Sequence, residues 1–99
     1  MAQVRWTERA ARDLHSIYNY IADDNEAAAT RLFMSLVTAT ERLRQFPQSG
    51  RVIPRFETSG VREIIVRPYR IAYRIVSDEI RVQKVSHGAR LVHLSDVEE

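Results

Sequence analysis

Residues 61–87 read VREIIVRPYRIAYRIVSDEIRVQKVSH, and the period of that stretch decides the fold. Three runs, Val61 to Arg67, Tyr69 to Val76 and Glu79 to Ser86, are rich in Ile, Val and Tyr and alternate in polarity. Alternation marks strands, because successive side chains on a strand point to opposite faces. Ser77-Asp78 reads as a tight turn, so the block is an antiparallel meander. On the middle run, Tyr69, Ile71, Tyr73 and Ile75 share the face expected to pack on helices. Arg70, Ala72, Arg74 and Val76 share the open face. The first run has either phase open, so Arg62 and Glu63 compete for the wet side. The last run is equally open, since a bulge would exchange its faces.

Upstream the period changes from two to that of a helix. Thr7 is a good N-cap, with Glu8 in the first turn, where the helix dipole favours a negative charge. Ala10, Leu14, Ile17 and Ile21 follow as one apolar stripe. The stripe stops near Asp23-Asp24-Asn25, and Asn25 is an N-cap for a second helix. Leu32, Leu36 and Leu43 mark the buried side of that helix, which is expected to end before Phe46-Pro47. Two striped helices with so short a link pack as an antiparallel hairpin. Ala2 to Trp6 reads as a short first strand, and Pro47 to Gly60 as a loop. The expected layout is β–α–α–β–β–β, an α+β fold in which a helical hairpin packs on an antiparallel sheet. One domain is expected over residues 1–99, with the hairpin at about 7–46, the meander at about 61–87 and a tail at about 88–99.

Composition narrows the function. There is no cysteine, which excludes disulfides, thiolate metal sites and Cys nucleophiles. No basic head precedes an apolar core, and no apolar run approaches the ~20 residues needed to span a bilayer, so a cytoplasmic protein without a membrane partner is expected. Every basic residue but Lys84 is Arg. From Gly50 to Arg90, nine basic residues face four acids, leaving that half at +5 against +2 for the whole chain. Such asymmetry points to an anionic partner, whether nucleic acid or an acidic protein segment.

An open sheet face carrying several Arg can grip phosphates with paired N–H groups. With His87 beside Arg70 and Arg90, such a face could cleave RNA. An imidazole titrating near neutrality moves the protons and Arg stabilises the phosphate charge, without metal or cofactor. The bland alternative is that each Arg covers apolar surface with its stem and holds a nearby carboxylate. His15 faces away from the apolar stripe and His93 lies in the tail. The three His have no metal-ligand spacing, and no metal site is expected.

The order of several short motifs resembles the RelE/ParE toxin superfamily over nearly the whole chain. They are Trp6-Thr7 with Ala10 and Asp13-Leu14, Ile17 with Tyr20-Ile21, Asn25 and Ala28, and Phe46-Pro47 with Gly50-Arg51. Downstream come Val61-Arg62-Glu63, Tyr69-Arg70-Ile71, Tyr73-Arg74-Ile75, Val82 to Val85 and His87-Gly88-Ala89-Arg90. The resemblance implies the toxin half of a type II toxin–antitoxin pair, bound by a cognate antitoxin that adds a helix or strand along its surface. RelE-like members are metal-independent nucleases that cut mRNA on the ribosome; ParE-like members act on DNA gyrase with no recognised catalytic site. Arg70 and Arg90 fall on Arg positions that RelE-like nucleases use for the scissile phosphate, and His87 on a position where some carry an acid–base residue. Two departures favour the ParE-like branch. Val61 and Glu63 stand where many nucleases have lysines, and nothing aromatic follows Tyr73. On the gyrase reading Arg62, Arg70, Arg74 and Arg90 are the residues expected to bind partners. On the nuclease reading Arg70, His87 and Arg90 are catalytic. A third alternative is an inactive remnant that only titrates antitoxin.

Overall fold

A computed structural model of the chain describes residues 2–53 and 60–88. The elements are β1 (Gln3–Trp6), α1 (Glu8–Ala22), α2 (Glu26–Glu41), a single 3-10 turn (Arg42–Arg44), β2 (Arg51–Val52), β3 (Arg62–Val66), β4 (Tyr69–Val76) and β5 (Glu79–His87). The α+β layout expected from the sequence is present, and both helices start where their caps place them. The Thr7 hydroxyl accepts the Ala10 N–H at 3.1 Å, and the Asn25 side chain accepts the Ala28 N–H at 3.0 Å. Each cap satisfies an N–H that the first turn leaves orphaned.

Three features differ from expectation. The α-helix stops at Glu41, and the chain tightens into Arg42–Arg44 rather than continuing toward Phe46. The loop read from Pro47 to Gly60 contains the two-residue strand β2, paired antiparallel with Arg62 and Glu63. The sheet is also mixed rather than antiparallel. Its order is β1-β5-β4-β3-β2, and β1 runs parallel to β5, with Val4 opposite Ile80 and Trp6 opposite Val82. That pairing joins segments more than seventy residues apart, which no local turn chemistry announces.

Both helices cover one face of the sheet. Ala10 and Leu14 of α1 and Leu36 of α2 form a buried cluster with Ile71, Val82 and Val85, and Leu43, Tyr73 and Ile80 form a second. Val82 and Val85 are three apart yet share this face because the register with β4 slips. Ala72 lies opposite Lys84, whereas Tyr73 lies opposite Val82, so Gln83 is the extra residue of a β-bulge. The bulge settles the phase that the sequence left open. Its strand exposes polar groups that α1 satisfies: the Gln83 carbonyl accepts from the Thr7 hydroxyl at 3.4 Å, and the Val85 N–H donates to the Asp13 carboxylate at 3.0 Å. The Thr7 and Asp13 positions of the motif are thus the stitches between α1 and β5.

Candidate functional site

The sheet register assigns each candidate residue to a face. Ile71 and Tyr73 of β4 belong to the buried clusters under the helices, so Arg70, Ala72 and Arg74 point to the opposite side. On that opposite side Glu63 of β3 lies across from Ala72 and diagonal to Arg70. Its carboxylate is only 2% exposed and holds two arginines, Arg51 Nη2 at 2.6 Å and Arg70 Nη1 at 3.4 Å to one oxygen and 3.5 Å to the other. Arg70, expected as a phosphate ligand, therefore already has an anion. Its cross-strand neighbour is Ser86, whose buried hydroxyl makes no hydrogen bond. Further along this face Arg74 lies across from Arg81, and Arg81 across from Arg5. Between the last two, the Glu79 carboxylate accepts from Arg81 Nε at 2.5 Å and from Arg5 Nε at 3.0 Å. These bonds, that from Arg81 first, hold its carboxyl below the usual range.

The other sequence-expected residues are elsewhere. His87 is exposed at the end of β5, across from Tyr69, and their rings meet edge to face with centroids 5.8 Å apart. Tyr69 packs against the cluster beneath the helices, so His87 stands on the helix-bearing side. There it borders a cleft of about 500 Å³ with Asp13, Ile17 and Tyr20 of α1. Arg70 and His87 are thus on opposite faces, and the expected catalytic group is not assembled from them. Arg62 also lies on the helix-bearing side, across from Tyr73. Its Nη1 donates to the Gly50 carbonyl at 2.8 Å and the Gln48 carbonyl at 3.2 Å. Arg62 pins the chain leading into β2, and the phase that the sequence left open puts Glu63, not Arg62, on the face away from the helices. Tyr73 works with Arg62: its hydroxyl donates to the Pro47 carbonyl at 2.8 Å and accepts the Gly50 N–H at 2.9 Å. Burial pushes this phenol above its ordinary value, while the Gly50 bond and the nearby Arg62 charge pull the other way. Gly50 has no alternative here, since a Cβ would stand 2.5 Å from the Tyr73 oxygen. Gly88 is similarly constrained, with a Cβ falling 2.8 Å from the Pro68 carbonyl oxygen. Arg90 lies outside the described residues, as does His93. His15 is exposed on α1, as expected.

A second feature escaped the sequence reading. Between α2 and β3 runs a groove of about 650 Å³, bordered by Ala39, Leu43, Phe46, Ile64, Ile65 and Val66, with Arg42 and Arg51 at its rim. A hollow of about 410 Å³ formed with Met34 and Thr38 continues it. Phe46, Ile65 and Met34, which all border these hollows, are 61%, 57% and 54% exposed. The edge of β3 is also open, because β2 pairs only with Arg62 and Glu63, and among the described residues Ile64 to Val66 have no strand partner on that side. The run Ile64-Ile65-Val66 carried a signal: three consecutive apolar residues break the alternation of a half-wet strand and place apolar groups on both faces.

Comparison with known proteins adds four similarities. The profile of the family described as the ParE toxin of the type II toxin–antitoxin system parDE matches residues 4–92. "Toxin RelE2" of Caulobacter vibrioides is 38% identical over 92 residues, spanning 92% of this chain and all of that protein. Among solved structures, the chromosomal ParDE system of P. aeruginosa superposes with a TM-score of 0.73 at 27% identity, covering 88% of this chain and 96% of the other. The toxin–antitoxin complex RelBE2 of Mycobacterium tuberculosis superposes with a TM-score of 0.66 at 26% identity, covering 87% and 96%.

Proposed function

Because the chain belongs to the ParE toxin family of type II toxin–antitoxin systems, we propose that it arrests growth by inhibiting DNA gyrase, without bond-making chemistry of its own, and that a cognate antitoxin neutralises it. The observation that carries the non-catalytic reading is the separation of Arg70 from His87. A general acid–base imidazole must reach the phosphate that the guanidinium holds, within hydrogen-bond distance or through one water. Here the sheet stands between them, and Arg70 is engaged by Glu63. The path to gyrase is protein–protein recognition, for which the charged face around Arg74, Arg81 and Arg5 is suited through steering.

The antitoxin belongs in the α2–β3 groove. Apolar residues along the groove take the side chains of an extended or helical segment, the open edge of β3 offers main-chain pairing, and Arg42 at the rim meets its carboxylates. Two of the solved structures that resemble this chain are toxin–antitoxin systems, which supports such a partner.

Induction of the chain in growing cells, with DNA and protein synthesis followed separately, tests the reading. A replication block with intact transcripts is expected. Codon-phased mRNA cuts that vanish in Arg70→Ala and His87→Ala variants would replace it with the nuclease reading, which draws its support from the similarity to "Toxin RelE2". Normal growth alongside tight antitoxin binding would identify an inactive remnant.

A further inference from the structure

We propose that the cross-strand row Arg74, Arg81 and Arg5, on the face turned away from the helices, binds the phosphate backbone of duplex DNA without regard to sequence. The three stand side by side on β4, β5 and β1, Arg74 across from Arg81 and Arg81 across from Arg5. Adjacent strands lie about 4.8 Å apart, so the row spans about 10 Å. Like charges directly across a sheet repel, so the fold gains nothing from this alignment. Glu79 offsets one of the three charges and orients two of the side chains. One of its oxygens accepts from Nε of Arg81 at 2.5 Å and from Nε of Arg5 at 3.0 Å. Among the described residues no other bond engages either guanidinium, so the forked Nη ends of both remain for a second anion. The Arg5 and Arg81 side chains are 50% and 24% exposed, which lets those ends reach solvent. A guanidinium already fixed through Nε has less freedom left to lose when its paired N–H groups take a phosphate. The surroundings favour a duplex over other polyanions. Duplex DNA carries one charge per ~1.7 Å of axis, so a row of about 10 Å meets several phosphates. Single strands are gripped by aromatic rings that stack on bases. The strand positions flanking the row are Gln3, Ala72, Val76 and Glu79, none of them aromatic. Protein partners seat their anchors in pockets, and neither the α2–β3 groove nor the cleft beside α1 includes these arginines. Steering toward gyrase asks only for long-range charge; phosphate contact also asks for forked donors in a row, which these strands supply.

DNA binding goes beyond the gyrase reading, and the test contains no gyrase, so the two can fail separately. A fluorescent duplex of about 20 base pairs is titrated with the full chain by anisotropy over a series of salt concentrations. Three guanidiniums on phosphates give log K against log[salt] a slope between about −2 and −3, and a slope near zero overturns the proposal. The double variant Arg5→Gln/Arg81→Gln is expected to lose about tenfold or more in affinity at low salt and to reduce the slope by about two. The control Arg12→Gln/Arg31→Gln removes the same charge from exposed positions on the helical hairpin. Its affinity is expected to change by less than about twofold. An equal loss in the control, or no loss in the row variant, overturns the proposal. Should the row variant fail to fold, Arg5→Gln and Arg81→Gln singly are each expected to take about one from the slope, and an unchanged slope in both overturns the proposal. Competition separates the occupants. Unlabelled single-stranded oligonucleotide, or polyglutamate of equal total charge, is expected to displace the labelled duplex at least about tenfold less well than unlabelled duplex does. Displacement by either as efficient as by duplex assigns the row to that polyanion and overturns the proposal.

Discussion

The two helices meet the sheet in different ways. Along the first two turns of α1 the junction with β5 is sealed, ahead of the cleft that Ile17 and Tyr20 form with His87. Ala10 and Leu14 are buried, the Thr7 hydroxyl donates to the bulge carbonyl at Gln83, and Asp13 accepts the Val85 N–H. Along the outer side of α2 the junction with β3 is open, with Met34, Phe46 and Ile65 exposed around a groove. Polar groups of the first junction are satisfied within the chain, whereas the apolar groups of the second remain uncovered. The first holds the fold together and the second is the surface proposed for the antitoxin, and substitutions should separate the two.

The largest effect is expected at the sealed core. Leu36→Ala removes a fully buried side chain between the helices and the sheet and should cost about 2–5 kcal/mol of unfolding free energy in urea titrations. A cost below ~1 kcal/mol would mean that the junction is looser than described. Asp13→Ala comes next: it leaves the Val85 N–H without its acceptor and should cost about 1–3 kcal/mol. Amide exchange at Val85 should accelerate, and unchanged exchange would count against the stitch. Tyr73→Phe strips the Pro47 carbonyl and the Gly50 N–H of one partner each, with a cost in the same range of about 1–3 kcal/mol. It also has a pH signature. A phenol whose value is raised in the folded state contributes stability that is complete below its ordinary value of 10.0 and is lost as pH rises from there through the folded value. The unsubstituted chain should therefore lose stability on that alkaline limb, and Tyr73→Phe should flatten it.

The smallest effect on stability is expected at the open junction. Ile65→Glu changes an exposed edge residue and should alter unfolding free energy by less than about 0.5 kcal/mol. The same change should weaken antitoxin binding by about tenfold or more, because it places a charge on the edge strand that borders the proposed groove. Equal antitoxin affinity in the variant would move the docking surface away from this groove.

Much of this contrast could be read from the sequence, and the missing parts have identifiable reasons. Thr7 and Asn25 announced the helix starts because capping is local chemistry. The stripe through Ala10 and Leu14 placed α1 correctly because its period is set by the helix itself. Arg62 was not readable, because its partners are the carbonyls of Gln48 and Gly50, which a loop brings beneath the sheet. The faces of His87 and Arg70 turn on one inserted residue, Gln83, and nothing in Val82 to Val85 says which residue bulges. The pairing of Glu63 with Arg70 is diagonal across two strands and depends on a register that only the folded sheet fixes. Family resemblance singled out Arg70 but could not tell that its charge is already met by Glu63.

The central claim is that this sheet acts through recognition and carries out no cleavage. It is tested most directly by adding the purified chain to a gyrase supercoiling reaction, with antitoxin-bound chain as the control. Inhibition of supercoiling, or accumulation of cleaved gyrase–DNA complexes that the antitoxin reverses, is predicted. Supercoiling that proceeds unaffected at micromolar concentrations of the free chain would contradict the account.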